Sequence, residues 1–469
     1  MSEGRHARGH GRRDNGHATF GLYPVGGAFH AVISWPTKDI GQQAGAPTGT
    51  ADGDSMAQAA DASLAHGIDD DDLARYADLV LRCGVNLEPG QKILVTGDVA
   101  HAYLIAALVQ RAYANGASVA ETLYFDDRVL AAKAGGAPSE ALATSVPAWF
   151  EAAYQTVIDE RWARIRTLGD PLDDPYAGVP VGRATALQTA VSLPAYRTIQ
   201  ARINWNLCAC PTRAWARRIY GEPDVARLWR DLRRAVRLDE PDPQAAWDAR
   251  RDELLRRAGR LNDAAFAALR FRGGGTDLFV PLHGDAKWQP AWLDTAWGRT
   301  FLCNLPSEEI YVAPDFRGVN GTAVATRPVT VNGLQVSGLR LRFAEGRAVE
   351  ATADTNAEAV RASLAEDAGA CRLGEVALVD DSSRVGRLGI VFKETLLDEN
   401  AACHIAWGAA IHDSFPDGLP DDPAALEARG VNESDVHQDV MIGGPEVAVS
   451  GVTARGDEVP VLVAERWQI

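Results

Sequence analysis

The sequence predicts an α/β protein, with an N-terminal parallel-sheet α/β domain over residues 69–265 and a C-terminal mixed α+β domain over residues 266–469. Three observations lead there. The chain has 469 residues, more than one ordinary core serves, so two domains are the default. Between Lys92 and Phe125 the pattern runs strand, helix, strand with tight connections. Such a βαβ unit implies parallel pairing and a right-handed crossover. From residue 270 onward, helical periodicity gives way to short strands joined by turns.

Residues 1–68 are rich in Gly, Ala, Asp and His and poor in large apolar residues. They are expected to be a disordered leader, unable to offset the entropy of ordering. Order is expected from Asp70, where DDDLARYADLVLRCGVNL sets Leu73, Tyr76, Ala77, Val80 and Leu81 at helical spacing behind an acidic front. Lys92–Thr96 is a short apolar strand. HAYLIAALVQRAYANGAS is a helix closed at Asn115–Gly116, and SVAETLYF is the second strand. Residues 138–170 are expected to be helical. Leu187–Arg202 opens another α/β element, with INWNLCACPT as its strand and exit. Arg213–Leu238 and Pro243–Leu269 read as two or three helices, with Trp215, Trp229 and Trp247 as packing residues.

Farther on, FRGGGTDLFVPL, EEIYVAPD and the text from Gly321 to Asp354 are strands and turns, with hairpin signals at Asn332–Gly333 and Glu345–Gly346. A helix over Asn356–Ala370 is expected next, then the buried strand GEVALVD and a strand LGIVFKE. Glu399–Ile411 is expected to be a helix with Asp398 as N-cap. Ser434–Gly444 reads as a strand, and the tail as two or three more.

Several function classes are disfavoured. A net charge of −16 argues against nucleic acid as a partner. No apolar run is long enough to span a bilayer, so no membrane partner is expected. The basic start lacks the apolar core of a secretory signal, and a cytoplasmic location is expected. The cysteines, Cys83, Cys208, Cys210, Cys303, Cys371 and Cys403, form no C-x-x-C pair and read as reduced, buried thiols. VTGD carries neither a GxGxxG nor a P-loop lysine pattern.

The chemistry concentrates in the C-terminal half. In SDVHQDVMIGG, His437 and Asp439 stand two residues apart, so on a strand both leave from one face, as a metal-ligand pair needs. By themselves they read equally as a surface pair near a turn. Glu309 lies between a Pro-containing turn and a strand. Glu375 opens an apolar strand, where a carboxylate is costly to bury without a cation. His404 is flanked by Cys403, Ile405 and Ala406. Two Glu, two His and one Asp suit two divalent ions sharing a bridging carboxylate, with zinc, cobalt and manganese all compatible. Residue type alone does not bring the five together.

Longer stretches carry a resemblance: YADLVLRCGVNLEPGQKILVTG, GGGTDLFV, NLPSEEIYVAPD, GTAVATRPV, LGEVALVD, LLDENAACHIAWG and SDVHQDVMIGGPEVAVSG. In this order they resemble the metallo-aminopeptidase family that includes aminopeptidase T and aminopeptidase S type enzymes. The resemblance implies removal of N-terminal amino acids from peptides, or from amino-acid amides, through a water activated by two metal ions. It implies Glu309, Glu375, His404, His437 and Asp439 as metal ligands, with Glu375 bridging and catalytic, and a homodimer. Glu308 is a candidate general base or amine acceptor from its adjacency to Glu309, although neighbours on a strand face opposite ways.

One position departs from the family. A tyrosine is expected seven residues after the histidine, and here it is Ile411. On the expected helix Ile411 faces the same way as His404, which motivates an alternative: a repurposed member that binds or hydrolyses an unusual amide. A further alternative is a mononuclear iron ring-cleaving dioxygenase built on His404, His437 and Asp439.

Overall fold

The computed structural model describes residues 67–469, apart from 143–145, 174, 332 and 421. The leader expectation for residues 1–68 therefore falls almost wholly outside the described residues. Ile68, assigned to it by composition, is buried in the first apolar core.

The first helix, Asp70–Leu79, starts where the acidic run predicts, with Asp69 accepting from the backbone of Asp71 and Asp72. Five parallel strands form one sheet, in the spatial order Val119–Phe125, Lys92–Asp98, Ala163–Leu168, Trp205–Ala209 and Asn304–Leu305. The last comes from beyond residue 265, so the chain returns to this sheet just before it reaches Glu308 and Glu309. Three helices, Arg213–Tyr220, Val225–Ala235 and Pro243–Ala264, follow the fourth strand as expected. Trp215 and Trp247 are fully buried among them.

Two sheets built from antiparallel pairs make up most of the remainder. One has eight strands, including the Glu345–Gly346 hairpin, both of whose residues have positive φ. The other has four, in the order Ile310–Val312, Leu373–Leu378, His404–Gly408 and His437–Met441. Every residue of Leu373–Leu378 and of His404–Gly408 is buried.

Three expectations require correction. Residues 138–170 are not all helical: Ala163–Leu168 is a central strand of the parallel sheet. Arg164 and Arg166 break the continuous apolar run expected of a central parallel strand, yet Arg164 is buried within the fold, and burial lowers its pKa to about 10. The LGIVFKE strand is absent; its first residue ends a short helix, Arg384–Leu388, and Gly389 caps that helix in the left-handed region. The largest change is at Glu399–Ile411. Helical structure stops at a 3-10 turn, Glu399–Ala401, and His404–Gly408 is a strand. An Ala-rich stretch has high helix propensity, but hydrogen-bonded neighbours on both sides of this strand override it.

The four-stranded sheet has one irregularity of consequence. Gly374 is an extra residue between the pairs Leu373↔Trp407 and Glu375↔Ala406. Without this bulge Leu373 and Glu375 would share a face; with it Leu373 goes with Trp407 and Glu375 turns to the opposite side. At the same end of this strand pair, Gly408 has φ +101°, and a Cβ there would lie 1.9 Å from the Val436 carbonyl oxygen. Gly408→Ala is therefore expected to force the His437 strand away and to cost about 1–3 kcal/mol of stability, read by denaturant unfolding.

Candidate metal centre

The register of the four-stranded sheet determines which side chains meet. Glu375, Ala406 and Asp439 lie in one row across three strands. Ala377, His404 and Met441 lie in the next, and Gly408 faces His437. Directly paired residues share a face, as do residues two apart. Glu375, His404, His437 and Asp439 thus stand on one side of the sheet, and the positions between them are Ala377, Ala406 and Gly408. Small residues there leave room above the sheet. Glu309, just before Ile310–Val312, completes the group from the edge.

The donor atoms approach one another closely. His404 Nε2 is 3.0 Å from Glu309 Oε2 and 3.9 Å from Glu375 Oε1. His437 Nε2 is 3.1 Å from Glu375 Oε2 and 3.6 Å from Asp439 Oδ1. The two oxygens of Glu375 therefore face different imidazoles. Two groups result, Glu309–Glu375–His404 and Glu375–His437–Asp439, each with ligand atoms within 4.8 Å of one another. Two donors bound to one ion at typical bond lengths lie roughly 2.9–3.4 Å apart.

Further observations show that these residues fit a cation. Glu309 Oε2 is buried and makes no hydrogen bond of proper geometry, despite its closeness to His404. His404 Nδ1 lies 3.2 Å from the Ala402 carbonyl and His437 Nδ1 lies 3.0 Å from that of Ala409. A carbonyl only accepts, so Nδ1 carries the proton in both rings and each Nε2 is directed at the carboxylates, as in a metal-binding histidine whose other ring nitrogen donates to a backbone carbonyl. Electrostatics agree. Burial opposes charge on His404, but the proximity of Glu309 and the charges of Asp439 and Glu375 raise its pKa to about 10. Burial likewise opposes charge on His437, and Asp439 and Glu375 overcome it, raising its pKa well above the ordinary value. Burial raises the pKa of Glu309 against the pull of His404. The cluster demands positive charge. His437 is the open member, with about a third of its side chain exposed.

A profile of the thermophilic metalloprotease (M29) family matches residues 69–467. The chain belongs to the M29 metalloprotease family. As a member it is a metallopeptidase, a hydrolase acting on peptide bonds, which bears out the resemblance read from the sequence. It is similar to aminopeptidase T of Thermus aquaticus, at 38% identity over 411 residues, covering 85% of this chain and 99% of that protein. It is also similar to aminopeptidase PepS of Streptococcus thermophilus, at 33% identity, covering 85% and 98%. Among solved structures it is similar to wild-type AmpT from Thermus thermophilus, with TM-score 0.77 and 35% identity, covering 85% of this chain and 99% of that one.

Within the M29 fold, Glu308 does not join the five ligand candidates. Alternation turns its carboxylate to the other side of the strand. There, fully buried, it lies 2.7 Å from Arg237 Nη2 and 2.7 Å from Arg250 Nε. The expected helical relation of Ile411 to His404 also falls away. Ile411 follows the strand, its N–H donates to the Gly374 carbonyl at 3.4 Å, and its side chain packs against the first core.

Sequence reasoning missed two residues. Tyr311 pairs with Ala377 and so stands on the ligand face; burial and the nearby carboxylates of Asp413, Glu375 and Glu309 raise the pKa of its phenol well above the ordinary value. Glu399 is buried in the 3-10 turn, and burial together with the charges of Glu309 and Asp439 raises its pKa well above the ordinary value. No clear sequence signal marks Glu399, whose neighbours Asp398 and Asn400 are polar.

Removing Glu308 takes a buried carboxylate from the buried Arg250, which keeps Glu253 beside it, and from the largely buried Arg237. Glu308→Ala is expected to lower unfolding stability by about 3–5 kcal/mol while the folded protein retains its bound metal, read by denaturant titration and elemental analysis.

Proposed function

We propose that this chain is a metal-dependent aminopeptidase that removes N-terminal amino acids from peptides, using two divalent ions that share Glu375. The carrying observation is the placement of the two Glu375 oxygens, one towards His404 and Glu309, the other towards His437 and Asp439. Such ions, when bound, supply Lewis acidity and lower the pKa of a coordinated water towards neutrality. Imidazole and carboxylate donors suit zinc, cobalt and manganese.

The protein's own residues supply the positioning. Glu309 and His404 would hold one ion, His437 and Asp439 the other, with Glu375 common to both and catalytic through the charge it sets between them. The exposed edge of His437 is the side from which a substrate arrives. Tyr196, half exposed on the helix Val181–Gln200, lies in the field of Glu433, His437, Asp413 and Asp435. Those three carboxylates give that side negative charge, complementary to the α-ammonium of a free peptide N-terminus. Glu308, held by its two arginines, takes no part in the chemistry. The aminopeptidase names of the similar proteins support this reading over the amide-repurposed one. The presence of both Glu309 and Glu375 supports two ions over a single iron.

Six buried, unpaired cysteines favour a reducing compartment such as the cytoplasm. A homodimer rests on the resemblance, and sedimentation would test it.

The direct test measures ion content and hydrolysis of amino-acid arylamides. Two zinc, cobalt or manganese ions per chain are expected, with activity lost on chelation and restored by any of them. One iron per chain without arylamide hydrolysis would sink the reading. Glu375→Ala is expected to lose both ions and activity, whereas His404→Ala and Asp439→Ala each lose mainly one ion.

Proton competition gives a further prediction. Without ions, His404 and His437 have raised pKa values and hold their protons. Loading must displace those protons, so apparent ion affinity rises with pH. Calorimetry at about pH 6 and about pH 8 should show proton release at both values and tighter binding at the higher.

A further inference from the structure

The strand His437–Met441 is an edge. Only His404–Gly408 pairs with it, so one row of its backbone groups faces away from the four-stranded sheet. Hydrogen bonds that flank the strand pair show which row. The N–H of Ala409 donates to Val436 O at 2.7 Å, and that of Ile442 to Cys403 O at 2.9 Å. Antiparallel alternation then turns the backbone of Gln438 and Val440 inward and that of His437, Asp439 and Met441 outward. Gly408, opposite His437, agrees: its own N–H goes the other way, to Arg372 O at 2.8 Å.

An edge row is ordinarily guarded, because free N–H and C=O groups recruit another strand. Here each outward residue except His437 has a backbone group engaged. Met441 O accepts from the N–H of Thr326 at 2.8 Å, and Asp439 O accepts from Gln438 Nε2 at 3.1 Å. Just before the strand, the N–H of Asp435 donates to Asp367 Oδ2 at 2.8 Å. The strand Val329–Val331 packs against the Met441 end. At His437 neither the N–H nor the C=O finds a protein partner among the described residues, and the residue is exposed. One residue therefore offers a ring nitrogen to the metal centre, 3.1 Å from Glu375 Oε2, and a free donor and acceptor at the edge of the sheet.

We propose that the main chain of His437 binds the leaving part of a peptide substrate as an added strand. This rests on the aminopeptidase reading above. The partners of His437 in the centre, Glu375, Asp439 and His404, all lie on the Asp439 side of it in the register. The substrate N-terminus therefore lies on that side, and its tail leaves past the exposed end at His437, which makes the peptide antiparallel to His437–Met441. In that orientation one substrate residue exchanges two hydrogen bonds with His437: its N–H donates to His437 O, and the N–H of His437 donates to its C=O. An imidazole holds its ion well off its own backbone, and an added strand lies about 4.8 Å to the side. At roughly 3.5 Å per residue, the substrate needs two residues beyond the scissile bond to come down to the edge, so the paired residue is its third. The contact reads main chain alone, so it favours peptides of three or more residues whatever their side chains.

The test measures release of the first alanine by the ion-loaded native chain from alanine dipeptide methyl ester, tripeptide amide and tetrapeptide amide. Between the first two, kcat/KM is expected to rise about ten- to hundredfold, the effect of two hydrogen bonds, with little further gain for the third. An ester in place of the amide between residues 2 and 3 of the tetrapeptide keeps the shape and removes the donor, and should lower kcat/KM about three- to tenfold. N-methylation of residue 4, whose N–H points away from the edge, should be tolerated. Hydrogen exchange gives a second readout. A tetrapeptide whose first amide is reduced to an uncleavable methylene-amine should protect the N–H of His437, and the corresponding dipeptide should not. Hydrolysis that is indifferent to length and to the ester, with no protection at His437, would overturn the proposal and leave the aminopeptidase reading standing. Protection of that N–H in the free protein, rising with its concentration, would assign the edge to a second copy of the chain and overturn the proposal too. A chain that hydrolyses none of the peptides refutes the aminopeptidase reading and this proposal with it.

Discussion

The pairing of Leu373–Leu378 with His404–Gly408, around the extra residue Gly374, is the constraint on which the C-terminal half depends. A strand whose residues are all buried would ordinarily place Glu375 by alternation with Leu373, both on the same side. The bulge breaks that alternation once. It sends Leu373 into the apolar core and Glu375 to the other face, into the space shared with His404, His437 and Asp439. One residue of slip in either neighbouring strand would scatter these four to opposite sides. The backbone register, rather than any single side chain, is what makes a candidate metal centre of them.

That centre concentrates negative charge where water is scarce. Glu309, Glu375, Asp439 and Glu399 are all buried, and the imidazoles of His404 and His437 are the bases that face the first three. The protein treats nearby acids in contrasting ways. Glu308, one residue from Glu309 but on the other face, meets two arginines and becomes a structural tie between helix Pro243–Ala264 and the turn that delivers Glu309. On the ligand face no arginine or lysine pairs with Glu309, Glu375, Asp439 or Glu399 among the described residues. Leaving these acids without a resident cation makes the site receptive to metal ions, and bolting the turns through Asn400 keeps the acids from reaching partners elsewhere.

Much of this was legible in the residues. The βαβ start, the three helices after Arg213, the hairpin at Glu345–Gly346 and the strand at His437 follow from period and turn chemistry. The five ligand candidates stood out because carboxylates and imidazoles in apolar text need a partner. Glu399 did not stand out, because it lies between the polar Asp398 and Asn400 rather than in apolar text. The central strand Ala163–Leu168 was hidden by two arginines, one of which the fold buries.

The sequence by itself determined which residues are ligand candidates and, for His437 and Asp439, that they leave one strand on one side. It also determined the family, through stretches long enough to resemble it. Only the tertiary structure decided that His404 lies on a strand, that Gly374 inverts the face of Glu375, and that Glu308 and Glu309 part company. The physical reason is that local propensity is worth a few tenths of a kcal/mol per residue, up to roughly one. Hydrogen-bonded neighbours on both sides and a buried face outweigh it, and those neighbours come from about 30 residues away in either direction along the chain.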